Sequence, residues 1–234
     1  GEIWHLLDHE QNIPVSMIDV SEMEDASIDR YTHIILPSGR YASLTEGFRE
    51  RLDAWVRAGG VLVATRSAAR WVVEHELSSA TFLDEAESEG EDESDVEAPD
   101  AYEGIDIWDS EVSISGALFE TQVDITHPLA FGYRDTMLPV HRIGTDAFAP
   151  SDNPFALPVR YADRDPILSG YASEANREML AGAGMMHAER RGGGSVILFA
   201  DDPVFRAYMK GSARLVTNAL FFGDDFRNPR RNLD

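Results

Sequence analysis

Two short, almost wholly apolar runs constrain this chain more than any other feature: Val61-Leu62-Val63-Ala64 and Ser195-Val196-Ile197-Leu198-Phe199-Ala200. Apolar runs this short, with little polar alternation, fit strands covered on both faces, as in open sheets flanked by helices. The surroundings of the first run agree. Leu44 to Ala58 is amphipathic at the helical period, with Leu52, Trp55 and Val56 on one side and Arg49, Arg51 and Asp53 mostly on another. Gly59-Gly60 stops that helix, and Ser67 to His75 reads as the next, with Trp71 and Val72 inward. Thr32 to Pro37 reads as a strand closed by the turn Ser38-Gly39. Residues 1–11 read as a helix broken by Pro14, and Val15 to Val20 as a strand. This order predicts an α/β fold with a mostly parallel sheet covered by helices. An opening helix normally follows a strand, so the first strand is expected to be missing from this sequence.

The second half is richer in strands. Val112 to Ser115 alternates, and Leu118 to Val123 continues as a partner. Leu138 to Val140, Leu157 to Tyr161 and Ile167 to Tyr171 are short candidates whose prolines favour edges or ends. Glu174 to Leu180 reads as a short helix and Ala181 to Ala188 as a strand. Gly192-Gly193-Gly194 reads as a tight hairpin rather than a phosphate cradle, because it precedes a strand instead of following one. Ser212 to Phe222 reads as the last helix.

Charge and composition then remove whole classes of function. The 234 residues carry 42 acidic and 20 basic side chains, a formal charge of -22. A phosphate backbone or an anionic membrane needs a basic footprint, which this surface lacks. No apolar run approaches the ~20 residues of a membrane helix. With 0 cysteines, disulfides, thiolate metal sites and a cysteine nucleophile are excluded. Gly1-Glu2-Ile3-Trp4 shows neither a signal-peptide pattern nor an initiator Met, so the chain is expected to begin inside a longer product or after processing. Residues 84–100 are dominated by Asp and Glu and lack the EF-hand pattern, which predicts a mobile acidic loop. The organisation expected is one domain over 1–223 and a polar tail over 224–234.

Few residues carry chemistry. Ser67, after a buried strand, sits where a strand-to-helix elbow would place a nucleophile, but Gly-x-Ser-x-Gly is absent and an N-cap role suits it better. Arg66 could bind an anion at the helix start or pair with a carboxylate. Asp201-Asp202-Pro203 follows the second apolar run, at the strand end where open sheets carry sites; Asp202 could cap the next turn, or the pair could line a pocket with Arg206. The seven histidines show no metal spacing: His5 and His9 are four apart, but Leu6 stands where the metalloprotease pattern needs Glu. His127, before Pro128, reads as a turn residue.

The segments Gly1 to Asp8 with Ile13-Pro14-Val15, Ala58 to Ala64, Ser67 to Trp71, Gly194 to Arg206 and Asn218 to Gly223 resemble a domain on the C-terminal side of bacterial zinc carboxypeptidases of the carboxypeptidase A-like superfamily. The resemblance implies a flavodoxin-like three-layer sandwich of the class I glutamine amidotransferase type. It places the elbow, where amidotransferases carry cysteine, at Arg66, which cannot attack a carbonyl. It further implies a retired site, no cofactor in this chain, zinc in an upstream peptidase domain that cleaves C-terminal peptide bonds, and a periplasmic or extracellular home. The expected role is to brace the peptidase domain or help position a peptide or cell-wall-like substrate, through an apolar patch to which Trp4 and Phe222 could contribute. The alternatives are an independent serine hydrolase using Ser67 and a sugar- or anion-binding module centred on Arg66, Asp201 and Asp202.

Overall fold

The computed structural model describes residues 1–83, 105 and 111–227. The acidic stretch 84–100 and the end of the tail, 228–234, lie outside the described residues. The strands are β1 His33–Leu36, β2 Val61–Thr65, β3 Ala117–Val123, β4 Met137–Arg142, β5 Val159–Tyr161, β6 Ile167–Ser169, β7 Gly184–Arg191 and β8 Gly194–Phe199. They form one sheet in the order β1-β2-β8-β7-β5-β3-β4, with β6 also paired to β3. The two apolar runs are neighbours: β2 and β8 pair in parallel, Val61 beside Ser195 and Thr65 beside Phe199.

Parallel pairing is confined to β1, β2 and β8. Every other pairing is antiparallel, which corrects the expectation of a mostly parallel sheet. The physical reason is in the connections. A parallel neighbour needs a crossover of a dozen or more residues, whereas β7 and β8 are joined by the tight turn at Gly192-Gly193. Gly192 adopts φ 63 there, and a Cβ on Gly194 would strike the Gly60 carbonyl at 2.1 Å, so glycine is needed at both. Pro139 falls on β4, at one edge of the sheet, as its missing N–H requires.

The helices are α1 Glu2–Trp4, which continues as a π-helix over His5–Glu10, α2 Glu46–Arg57, α3 Ser67–Glu74, α4 Glu174–Leu180 and α5 Lys210–Phe222. Thr45 caps α2 by accepting the Phe48 N–H at 3.3 Å. Phe48, Leu52, Trp55 and Val56 of α2 pack with Ala68, Trp71 and Val72 of α3 against Leu62, Ala64, Val196 and Leu198. On the opposite face, Leu6, Leu7, Leu215, Val216 and Ala219 cover Val61, Val63, Ile197 and Phe199. Alternation along β2 and β8 thus feeds two cores, and each large side chain fully buried there contributes about 1.5–3 kcal/mol.

Two expected strands do not form. Residues 13–19 carry no strand and run into a single 3-10 turn, Val20–Glu22. Ile13 and Val15 pack toward one core, and Ile18 and Val20 toward the other. The segment therefore passes beside the sheet instead of joining it, and β1 keeps β2 as its one strand neighbour among the described residues. Residues 113–115 are also irregular, because Ile114 alone is drawn into the core.

His187, at the centre of β7, is buried with its Nδ1 unpartnered among the described residues. Burial pushes its pKa down to about 4, against a weaker upward pull from Glu189. The unfolded chain binds this proton near pH 6.5 and the folded chain does not, so stability is complete above pH 6.5 and falls toward pH 4. The contribution lost is about 3 kcal/mol. Thermal melts from pH 7 to 4.5 are expected to show this slope in the native protein and a flatter one in His187→Gln. Equal slopes would refute the assignment.

Candidate functional site

The ends of the three parallel strands converge on one place. β2 ends at Thr65, and the chain turns into α3 through Arg66, whose backbone holds φ 50 and ψ -123. A non-glycine residue rarely adopts positive φ, and a sharp strand-to-helix turn of this kind is how α/β enzymes present a nucleophile. Two backbone bonds fix the turn: Arg66 N–H donates to the Phe199 carbonyl at 2.8 Å, and Arg70 N–H donates to the Arg66 carbonyl at 3.0 Å. Arg66 thus stands at the turn from β2 into α3 and is also the residue at the N-cap of α3.

Ser67 does not cap α3. It lies one residue inside, and its hydroxyl turns toward the loop after β1. It lies 3.0 Å from Ser38 Oγ, accepts Gly39 N–H at 3.0 Å and is 3.1 Å from the Gly39 carbonyl. Thr65 Oγ1 accepts Ser38 N–H at 3.0 Å, which pins the same loop. Among the described residues no histidine hydrogen-bonds Ser67.

Asp201 and Asp202 follow β8 beside the elbow, and their roles differ. Asp201 is buried against Arg142, which is 0% exposed. Arg142 Nη1 donates to Asp201 Oδ1 at 3.0 Å and to Tyr161 Oη at 2.6 Å, and the Tyr161 hydroxyl donates to Asp201 Oδ2. Arg142 Nη2 donates to the Asp146 carbonyl, while the Asp146 carboxylate pairs with Arg70 of α3. Burial raises the Asp201 carboxyl above the usual range and Arg142 pulls it back. With both oxygens accepting, the geometry is that of a carboxylate. Burial also holds the Tyr161 hydroxyl well above its ordinary pKa, so it remains a donor. Asp202 accepts Val204 N–H at 2.9 Å, a local turn bond and not the helix cap expected of it, since the next helical turn, Phe205–Ala207, starts after Val204 without a side-chain cap.

Sequence reasoning missed His141. Its ring lies flat on Phe205, with centroids 3.7 Å apart and planes 5° apart. Burial lowers its pKa, and the charges of Asp201, Arg206, Asp202 and Arg66 all act on it. The Arg206 guanidinium carbon lies 5.1 Å from the Phe205 centroid, and the Arg206 backbone N–H donates to Glu2 Oε1 at 3.4 Å. A lone histidine on an alternating strand carries no signal of this grouping, because its partners come from other elements. Among the described residues no hydrogen bond or ion pair engages the side chains of Arg66, Arg206 or His141.

Other features lie apart. A cleft of about 330 Å³ is lined by Leu6, Glu10, Phe131, Lys210, Arg214 and Asn218, between the π-helix and α5. Trp4 is 42% exposed, Phe131 65% and Phe221 60%, with the Phe131 and Phe222 rings 4.9 Å apart. Among the described residues, no three His, Asp or Glu side chains are placed to hold a metal ion, and no helix is long and apolar enough to cross a membrane.

No family model matches the chain, and no curated protein sequence does. Solved structures of similar shape exist at low identity. A ThuA-like protein from Parabacteroides merdae is 11% identical with a TM-score of 0.56, over 98% of this chain and 85% of that one. PurLQS from Thermotoga maritima is 14% identical with a TM-score of 0.53, over 94% and 91%. The cytoplasmic protein STM3548 from Salmonella typhimurium is 11% identical with a TM-score of 0.50, over 94% and 85%. At these identities the likeness is one of fold alone.

Proposed function

We propose that this chain is a non-catalytic accessory domain of a zinc-carboxypeptidase-like protein, bracing the peptidase domain or assisting its substrate binding. The observation that carries the reading is Arg66 on the elbow backbone: a permanently charged guanidinium stands where a nucleophile would. The resemblance of the chain's two ends to such domains supplies the parent, and the engaged hydroxyl of Ser67 supports the lack of acyl-transfer chemistry. A fluorophosphonate probe is expected to leave Ser67 unlabelled; labelling that disappears in Ser67→Ala would overturn the non-catalytic reading. In the full-length protein, deleting this chain is expected to lower the melting temperature of the peptidase domain or raise its KM. A peptidase domain unchanged in both would end the accessory reading.

A second reading, a small-anion-binding module, is favoured by the guanidinium groups of Arg66 and Arg206, which have no hydrogen-bonding or ionic partner among the described residues. The two readings are compatible, since a site without a nucleophile can still hold a ligand.

A further inference from the structure

Helix α5 carries a polar stripe at the helical period, Lys210, Arg214, Thr217 and Asn218, beside the buried Leu215, Val216 and Ala219. The stripe forms one wall of the cleft of about 330 Å³, and Leu6 and Glu10 of the π-helix form the other. A π-helical turn is uncommon and concentrates at functional sites; here the Gln11 N–H reaches back to the Leu6 carbonyl at 3.0 Å. Lys210 pairs with Glu10 and so links the two walls.

Two side chains in this cleft are held in place with bonding capacity left over. Arg214 Nη1 donates to the Gly132 carbonyl at 3.0 Å, and the guanidinium carbon lies 5.9 Å from the Tyr133 ring centroid. Gly132 takes φ 85, and a Cβ there would strike the guanidinium, so glycine at this position lets Arg214 settle. The chain has 42 acidic side chains, yet none pairs with Arg214 among the described residues. Asn218 is buried, and its Nδ2 donates to the carbonyls of Leu129 at 2.8 Å and Phe131 at 3.0 Å. Those two bonds fix which end of the amide is the donor, and Oδ1 accepts no hydrogen bond among the described residues. Arg214 and Asn218 are four apart, neighbours on the helix surface. Leu6, Ala213 and the largely exposed Phe131 supply an apolar lining beside them.

We propose that this cleft receives the C-terminal residue of a peptide that ends in an apolar side chain. The forked donors of Arg214 match the terminal carboxylate. Asn218 Oδ1 is an acceptor for the N–H of the same residue, and the apolar lining covers its side chain. With Glu10 answered by Lys210, Arg214 leaves the cleft one positive charge, which suits a monoanion. The volume lies at the small end of ligand sites, which suits one residue rather than a long segment. The site deepens the substrate-binding part of the proposed function and rests on it for the source of the peptide.

The test is a titration of the full chain followed through its backbone amide resonances, with N-acetyl-leucine, N-acetyl-leucinamide and sodium acetate at matched ionic strength. N-acetyl-leucine is expected to give saturable shifts at Leu6, Gln11, Thr217 and Asn218. The leucinamide, which lacks the carboxylate, and acetate, which lacks the apolar body, are each expected to bind about ten-fold more weakly or worse. Arg214→Gln is expected to lower affinity for N-acetyl-leucine about ten-fold, and Thr217→Trp, which fills the cleft, to abolish binding. Melting temperatures of both variants close to that of the native protein show that the loss belongs to the site. Shifts that do not saturate, or that persist in both variants, overturn the site. A leucinamide that binds as tightly as the acid overturns the carboxylate contact, and acetate that binds as tightly overturns the apolar one. Binding is read on this chain and the accessory role by its deletion from the full-length protein, so the two fail separately.

Discussion

Asp201→Ala is expected to destabilise the fold by about 3–5 kcal/mol, because it strands a buried guanidinium. Arg142 lies among aromatic and aliphatic side chains with no exposed surface, and its ionic partner is Asp201. At roughly 2–4 °C per kcal/mol for a chain of this size, the melting temperature should fall on the order of 10 °C. The paired substitution Arg142→Met with Asp201→Leu is expected to recover most of that loss, since replacing both charges removes the desolvation cost along with the attraction. Thermal and urea unfolding of the single and double variants decide the matter. A single variant within about 1 kcal/mol of the native protein would show that Arg142 finds water or another partner. The network also joins β4, β5, the end of β8 and, through Asp146 and Arg70, helix α3, so its loss should be felt at the elbow.

Molar salt is expected to stabilise this protein strongly. A formal charge of -22 spread over 234 residues repels itself in the folded state. At about 0.1 M salt that repulsion acts over ~10 Å, and at about 1 M over only ~3 Å. A rise in melting temperature on the order of 10 °C between those concentrations is expected. The basic residues fit the same picture: Lys210 is the single lysine among 20 basic side chains, the rest being arginines. Arginine can anchor at several points, as Arg51 does on the Met23 and Glu24 carbonyls. Sodium chloride should act where sucrose at equal osmolality acts far less. A melting temperature flat in salt would mean that the acidic groups are already compensated.

The half of the fold that sequence periodicity revealed is the half built from continuous apolar strands and amphipathic helices. β2, β8, α2, α3 and α5 each declare themselves by an unbroken core face, and all but α3 by glycine punctuation as well. The antiparallel half was legible only as positions. Short strands such as Val159–Tyr161 carry no signal of direction or neighbour, so their pairing emerges only from the sheet. Val15 to Val20 misled because apolar spacing reports contact with a core and not strand pairing: Val15, Ile18 and Val20 are half-buried against the two cores without a strand partner. At the site, the strand-to-helix turn after β2 was legible from the apolar run, while Arg66 was singled out only by the resemblance. Ser67 was misread as a cap because the positive φ of Arg66 shifts the helix start by one residue. Arg142, Tyr161 and His141 were silent, since each acquires its role from residues far away in the chain.

The pairing of β2 with β8 has a consequence for how the chain is made. Val61 meets Ser195 although β3 to β7 all lie between them in the sequence. During synthesis β1 and β2 therefore emerge long before the strand that completes them. Closing that loop is slow, and topologies dominated by such distant pairings fold slowly. Until β8 arrives, Val61 to Thr65 is an open apolar strand able to join another chain. The β7–β8 hairpin, by contrast, closes locally and can present β8 as a ready template for β2. Misassembly of a nascent or refolding chain is thus expected to begin at β2, and a truncation that removes β8 should aggregate.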